Sequence, residues 1–435
     1  MEDRLVGRKL LLIAPTCDGE DVGEAWVSYQ WASRLAERAD VTLLTYHKRG
    51  ARPASVQLPG VRVIEWQEMA LFTRAERLNS MLKPSYVPFY FRARHWIKMA
   101  LARGETFDVA HQPTPVAMRY PSPAAGLGIP LVIGPVGGAL ASPPGFAAEE
   151  GSNPWFMRLR AMDRYRLQFD PLLRASFETA DCVLGIAPYV GEALASLSLK
   201  RLDFLSETAL DSVSEPIVRP GGEHVVKLLY VGRLVRTKGV RDLVRAMHLL
   251  ADLPVTLDIV GDGPDRSICE ALAEELGLSS DRIIFHGWQP KAALGKFYRQ
   301  ADVFVFPSYR EPGGNVALEA MSYSLPLIVV DRGGPGSAVT AECAIRLQVS
   351  TPESLAREVA ESIRRLAADA ALRNRMGQAA YRHVKATGLW SARIQRIEAI
   401  YDEIAASRGI VQQVGAVYPE QLSQEANGTD GLRQR

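Results

Sequence analysis

The chain has 435 residues, too many for one ordinary hydrophobic core, so two domains are expected. With 47% hydrophobic and 23% charged residues and a formal net charge of +2, it has the balance of a soluble globular protein, and nothing demands nucleic acid as a partner. The cysteines Cys17, Cys182, Cys269 and Cys343 lack metal or redox spacing, and the longest apolar runs are too short for a signal peptide or a membrane span. Reduced thiols, a cytoplasmic location and at most peripheral membrane contact are the expectations that follow.

In chain order, Lys9 to Ala14 reads as a buried strand that opens into a polar loop, Pro15 to Glu24, containing Gly19 and Gly23. A helix follows, its apolar face made by Trp26, Tyr29, Trp31, Leu35 and Ala36. Val41–Thr45 and Val61–Ile64 continue the alternation, which predicts a parallel sheet with helices on both faces. The loop after the first strand lies where such a sheet binds ligands, yet it lacks the GxGxxG of a dinucleotide site.

From Ala70 to Arg103 the pattern changes. Aromatic and apolar residues (Tyr86, Phe89, Tyr90, Phe91, Trp96, Ile97, Met99) interleave with Arg92, Arg94, Lys98 and Arg103. Such a segment suits an interfacial helix on an anionic membrane. It equally suits core helices whose cationic stems reach outward.

Phe107 to His111 ends another strand, and a histidine there is placed to face a cleft, or to serve the core. Ile129–Ile133 runs into the Gly-rich turn Gly134-Pro135-Val136-Gly137-Gly138, and Ser142 to Asn153 reads as a mobile loop. A helix over Trp155–Arg174 and strands at Ala180–Ala187 and Arg201–Leu205 complete a first domain spanning 1–210.

A Ser-, Pro- and Gly-rich linker covers 211–224, and a second α/β domain covers 225–389. Its strands are expected at Val225–Val231, Val255–Val260, Arg282–Phe285, Val303–Phe306 and Leu325–Val330. Helices are expected at Val240–Leu250, Pro352–Leu366 and Leu372–Ala386. A last helix occupies 390–407, and the polar remainder, 408–435, is expected to be a disordered tail.

Two loops of the second domain carry chemistry. Gly232-Arg233 with Lys238-Gly239, just before a helix, offers close backbone approach, two cations and free N–H groups, which suit a diphosphate. Solvated cations in an ordinary loop would look the same. The stretch from Phe304 to Gly336 is a βαβ unit whose loop holds Glu311, Gly313, Gly314 and Asn315, followed by a helix with Val316 and Glu319. Carboxylates at that place suit sugar hydroxyls, which donate to them strongly. A plain crossover with solvated glutamates is the alternative.

Taken together and in order, Gly232-Arg233 with Lys238-Gly239, Val260-Gly261-Asp262-Gly263-Pro264, Phe306-Pro307-Ser308 leading to Glu311 and Glu319, and Gly333-Gly334 resemble the family-4 retaining glycosyltransferases of the GT-B fold. The resemblance covers roughly 1–407 in layout and is specific over about Val231–Val339. His111-Gln112 and Gly134 to Gly138 are similar to the branch that makes bacterial surface polysaccharides.

The resemblance implies two Rossmann-like doubly wound domains facing an interdomain cleft. It implies transfer of a sugar from a UDP- or GDP-sugar to an acceptor hydroxyl, with retention and no required metal or cofactor. Arg233 and Lys238 would hold the diphosphate, Glu311 the donor sugar and Glu319 the ribose. Gly232, Gly313, Gly314, Asn315 and Val316 would line the donor, His111 would contact its sugar, and Gly23 would stand near the phosphates. The acceptor would be a carbohydrate or lipid-linked oligosaccharide at the inner face of the cell membrane. A GT-B-fold epimerase and a non-catalytic nucleotide-sugar-binding partner share the same motifs. Three positions depart from the family pattern: Glu24 follows Gly23, Gly313 stands where an aromatic or Cys is common, and Ser337 replaces an acidic residue.

Overall fold

The computed structural model describes residues 7–48, 50–68, 83–150, 162–219 and 225–426. The expected amphipathic segment over 70–82, the start of the helix expected from Trp155, the last linker residues and 427–435 lie outside the described residues.

Apolar runs become strands and amphipathic runs become helices, in two parallel sheets. The first sheet holds β1 (Lys9–Thr16), β2 (Asp40–His47), β3 (Arg62–Gln67), β4 (Val109–Gln112), β5 (Leu131–Val136), β6 (Cys182–Gly185) and β7 (Leu202–Phe204). Their spatial order is β3-β2-β1-β4-β5-β6-β7. The second holds β8 (Val226–Val231), β9 (Val255–Val260), β10 (Ile283–Gly287), β11 (Val303–Phe306), β12 (Leu327–Val330) and β13 (Ala344–Leu347), ordered β10-β9-β8-β11-β12-β13. Both are doubly wound, so ligand-binding loops gather at the carboxyl ends of the central strands. Each expected strand is present; β13, short and with Arg346 on it, was not foreseen.

Central strands are buried on both faces: Leu10 to Ile13, Val303 to Val305 and Leu327 to Val330 are 0% exposed. That is why they read as unbroken apolar runs. The four cysteines are buried and unpaired.

Two segments cross between the lobes. The last helix, Trp390–Ala426, lays Trp390, Ile394, Ile397, Ile400, Tyr401 and Ile404 against Leu10, Leu12, Leu43 and Trp31 of the first sheet. It continues through 408–426, where composition had predicted a disordered tail. Helical continuity from an anchored first half decided this against local polarity. The second crossing is the loop after β5, whose Phe146 is fully buried in the core of the second domain. Burying such a ring contributes roughly 1.5–3 kcal/mol. The expected mobile loop is therefore pinned here, because Glu149 pairs with Arg236 (3.0 Å) and Arg245 (3.0 Å).

Candidate functional site

The loop after β11 is shaped by glycine. Gly314 caps the helix Asn315–Ser322 with φ 85°, and a side chain there would begin 2.7 Å from Pro335. Left-handed backbone and lack of room both require glycine. Across from it, a side chain on Gly334 would begin 1.7 Å from the Gly313 carbonyl, and the Gly334 N–H donates to the Glu311 carbonyl at 2.9 Å. The paired glycines after β12 thus hold the backbone of the 311–313 loop in place. Val316 packs against the second core, while Asn315 is exposed and its Oδ1 accepts from the Thr208 hydroxyl.

The loop after β8 brings its cations to the same place. The Lys238 ammonium meets the Glu311 carboxylate in an ion pair, both side chains 17% exposed. Burial, with Arg233 and Arg310 nearby, works to push the Lys238 ammonium down to about 8. The Glu311 carboxylate in contact works the other way, and it keeps the ammonium protonated while the pair lasts. Arg233 is exposed, and among the described residues its guanidinium has no acidic partner. Arg310 donates to the Ser142 hydroxyl at 3.1 Å and pairs with Glu150 at 3.5 Å, so the excess of cation here rests on Arg233. Positive charge therefore outweighs negative in a part-buried corner at the start of the helix Val240–His248, which favours an anion.

Arg236, in the same loop, does something different. It is buried, pairs with Asp242 at 2.6 Å, and lies over the rings of Phe146 (5.0 Å) and Tyr309 (5.5 Å). Its charge is spent on holding the lobes together.

Glu319 lies on the helix after the loop, partly buried, and accepts from the Tyr298 hydroxyl at 2.9 Å. Burial raises its carboxyl above the usual range, while the Tyr298 hydrogen bond and Lys291 oppose that. The Lys291 ammonium stands 5.9 Å from the ring of Trp26, on the first turn of the first-domain helix Glu24–Ala36. Glu319 and the start of that helix thus face one another across the cleft. Gly23 caps this helix in open space, and Glu24 is ion-paired with Lys83.

His111 does not face the cleft. It is 0% exposed; Nε2 lies 2.6 Å from the Gly134 carbonyl and Nδ1 lies 2.6 Å from Tyr401 Oη. The carbonyl can only accept, so Nε2 carries the proton and Nδ1 accepts from the tyrosine. Burial pushes the imidazole down to about 4, which keeps it neutral. The expected sugar contact is corrected to a structural role. A partner 290 residues away, on the returning last helix, covers the face that the strand reading left open.

Sequence reasoning passed over Glu207, Tyr298, Lys291 and Arg310. Glu207, Tyr298 and Lys291 sit in no motif and are brought to the cleft by tertiary packing, whereas Arg310 adjoins Glu311 in the loop after β11. Beside the 333–334 turn, a cavity of about 1000 Å³ separates the lobes, lined by Gly138, Leu140 and Tyr189 on one side and Arg332, Gly333 and Ser337 on the other. Among the described residues no group of three or more His, Cys, Asp or Glu could hold a metal ion.

Two family models match, one to each lobe: a glycosyl transferase 4-like domain over residues 22–203 and glycosyl transferases group 1 over residues 220–383. The chain belongs to the family-4-like glycosyltransferases of the GT-B fold. Among relatives in this family, the lipopolysaccharide core biosynthesis glycosyltransferase LpsD of Rhizobium meliloti (strain 1021) is 39% identical over 146 residues, 34% of this chain and 40% of the relative. LpsE of the same organism, with the same description, is 31% identical over 221 residues, 49% of this chain and 62% of the relative. The matched part is thus less than two thirds of either relative. Solved GT-B structures agree in fold. The lipopolysaccharide outer core galactosyltransferase WaaB, in its apo form, superposes with TM-score 0.62 at 18% identity, over 91% of this chain and 99% of that one. Sucrose-phosphate synthase from Thermosynechococcus elongatus gives 0.60 at 22% identity, over 92% and 100%.

Proposed function

We propose that the chain transfers a sugar from a UDP- or GDP-sugar to an acceptor hydroxyl with retention at the anomeric carbon. The acceptor is a lipid-linked oligosaccharide in surface-polysaccharide assembly, reached at the cytoplasmic face of the membrane. What carries this reading is the Lys238–Glu311 pair beside Arg233, which is exposed and has no acidic partner among the described residues. A diphosphate arriving there meets Arg233 and Lys238 together, and Glu311, released from the ammonium, turns to sugar hydroxyls. Relatives named for lipopolysaccharide core biosynthesis support the acceptor class.

The chemistry is charge stabilisation. The bond from the anomeric carbon to phosphate oxygen breaks, its electron pair stays on the diphosphate, and the two cations hold the charge that develops. The acceptor oxygen bonds to the anomeric carbon and its proton passes to the departing phosphate. Glu319, steadied by Tyr298, binds the ribose hydroxyls, and the Gly313–Val316 turn lines the donor. His111, enclosed in the first domain, takes no part in this step.

Membrane contact belongs to the helix Tyr86–Ala102. Its Tyr86, Phe89, Tyr90 and Ile97 are buried in the first domain, but Val87 and Phe91 are each 60% exposed and Met99 44%. These flank Arg92 and Lys98, which are also exposed, a pairing suited to anionic headgroups and acyl chains. Arg94 belongs to the fold instead, donating to the carbonyls of Pro123 (3.0 Å) and Ala125 (2.8 Å). Among the described residues no helix is long and apolar enough to cross a membrane.

The test is a panel of UDP- and GDP-sugars with lipid-linked oligosaccharide acceptors, following nucleoside diphosphate release and the anomeric configuration of the product. Release that needs acceptor and gives a retained linkage supports the reading. Epimerised donor without acceptor, binding without turnover, or an inverted product would each refute it.

A further inference from the structure

One carboxylate of the cleft has no role in that chemistry. Glu207 sits on the segment between β7 and the second domain, and its backbone is fixed from both sides. Its carbonyl accepts from Trp31 Nε1 at 3.2 Å, and its neighbour Thr208 donates to Asn315 at the end of the donor loop. The side chain is partly exposed, and its Oε1 lies 3.1 Å from where a side chain at Gly313 would begin.

Nothing among the described residues satisfies this carboxylate: no cation pairs with it and no donor reaches it. The charged groups around it make matters worse. Glu24 presents a second carboxylate, and the Tyr189 hydroxyl, which accepts from the Gly138 N–H at 3.3 Å, is uncharged. Enclosure, with Glu24 adding to it, pushes Glu207 up to about 7. A part-exposed carboxylate that no protein group engages is open to a ligand hydroxyl, which would replace solvent with a charge-assisted hydrogen bond.

We propose that Glu207 is a further sugar-binding residue, its carboxylate accepting a hydrogen bond from a hydroxyl of the transferred sugar in the gap that Gly313 leaves open. The proposal rests on the nucleotide-sugar reading above. It gives the departure at position 313 a reason. An aromatic or cysteine side chain there would take the space next to Oε1, so glycine and the glutamate belong together.

The experiment compares the full chain with Glu207→Gln and Gly313→Ala by calorimetric titration. The probes are bare UDP and GDP, then UDP-glucose, UDP-galactose, UDP-N-acetylglucosamine and GDP-mannose. Wild type is expected to bind at least one sugar nucleotide, more weakly as pH falls from 8 to 6 and Glu207 takes up a proton. Glu207→Gln should bind the bare diphosphate as wild type does. It should bind the sugar nucleotide roughly tenfold or more weakly, the scale of one charge-assisted hydrogen bond, and lose the pH dependence. Gly313→Ala, which keeps the carboxylate but sets a methyl against it, should also weaken sugar-nucleotide binding. If wild type binds no sugar nucleotide, the nucleotide-sugar reading falls and this proposal with it. If wild type binds but Glu207→Gln matches it, or loses bare diphosphate equally, Glu207 alone is refuted.

Discussion

The rings of Phe146 and Tyr309 lie 4.0 Å apart, centroid to centroid, although one is carried by the first domain and the other by the loop after β11 of the second. With Arg236 over both rings and Glu149 bridging Arg236 and Arg245, they clasp the lobes together at one edge of the cleft. Any change in the angle between the lobes has to keep this clasp or break it.

Phe146→Ala should therefore cost stability well out of proportion to a loop position. Removing a fully buried aromatic ring costs about 3–5 kcal/mol. Urea unfolding of the variant should show a loss of that order, and a loss under about 1 kcal/mol would mean the ring is not packed as described.

Arg233 and Lys238 should behave differently although both are proposed to hold the donor diphosphate. Arg233→Ala removes an exposed side chain with no acidic partner among the described residues, so melting temperature should hold while kcat/KM falls about 10²-fold or more. Lys238→Met leaves the Glu311 carboxylate part-buried without its cation, so both stability and activity should fall. Thermal melts beside donor-turnover assays separate the two patterns.

His111 sets an acid limit on stability. The unfolded imidazole takes up a proton near 6.5, the buried one only near 4, so between these values the unfolded chain binds more protons. Its contribution is full above pH 6.5 and is lost as pH falls toward 4, amounting to about 3 kcal/mol on the usual conversion. Urea titrations at pH 7 and pH 5 should show about 2 kcal/mol of this loss. In His111→Gln the same comparison should be flatter, and an unchanged slope would place the acid sensitivity elsewhere.

Tyr298→Phe tests the support of Glu319. The hydroxyl donates to Glu319 at 2.9 Å from a ring stacked on Tyr323, so the variant keeps the packing and loses one hydrogen bond to a carboxylate. Donor KM should rise several-fold with kcat little changed, since the contact serves binding in ground and transition states alike. A fall confined to kcat would contradict the assignment.

Phe91 and Lys98 test the membrane face. Phe91→Ser with Lys98→Gln should reduce co-sedimentation with vesicles rich in anionic lipid while leaving soluble-donor binding intact, because both side chains point outward. Undiminished vesicle binding would remove this helix from the membrane proposal.

Much of this protein is written in local sequence. Buried strands such as Val303–Phe306 and Leu327–Val330 announce themselves because a strand covered on both faces must be apolar throughout. Gly314, Gly334 and the Arg233–Lys238 spacing mark loops suited to an anionic ligand because close backbone approach and fixed charge need particular residues in a short span. Tertiary structure alone decided the rest. It turned His111 away from the cleft by bringing Tyr401 onto it, pinned an expected mobile loop by burying Phe146 across the domain boundary, and set Glu207 against Gly313. These contacts join residues more than a hundred positions apart. Local propensity and periodicity extend over only a few turns of chain, so they carry no information about which distant surface will cover a side chain.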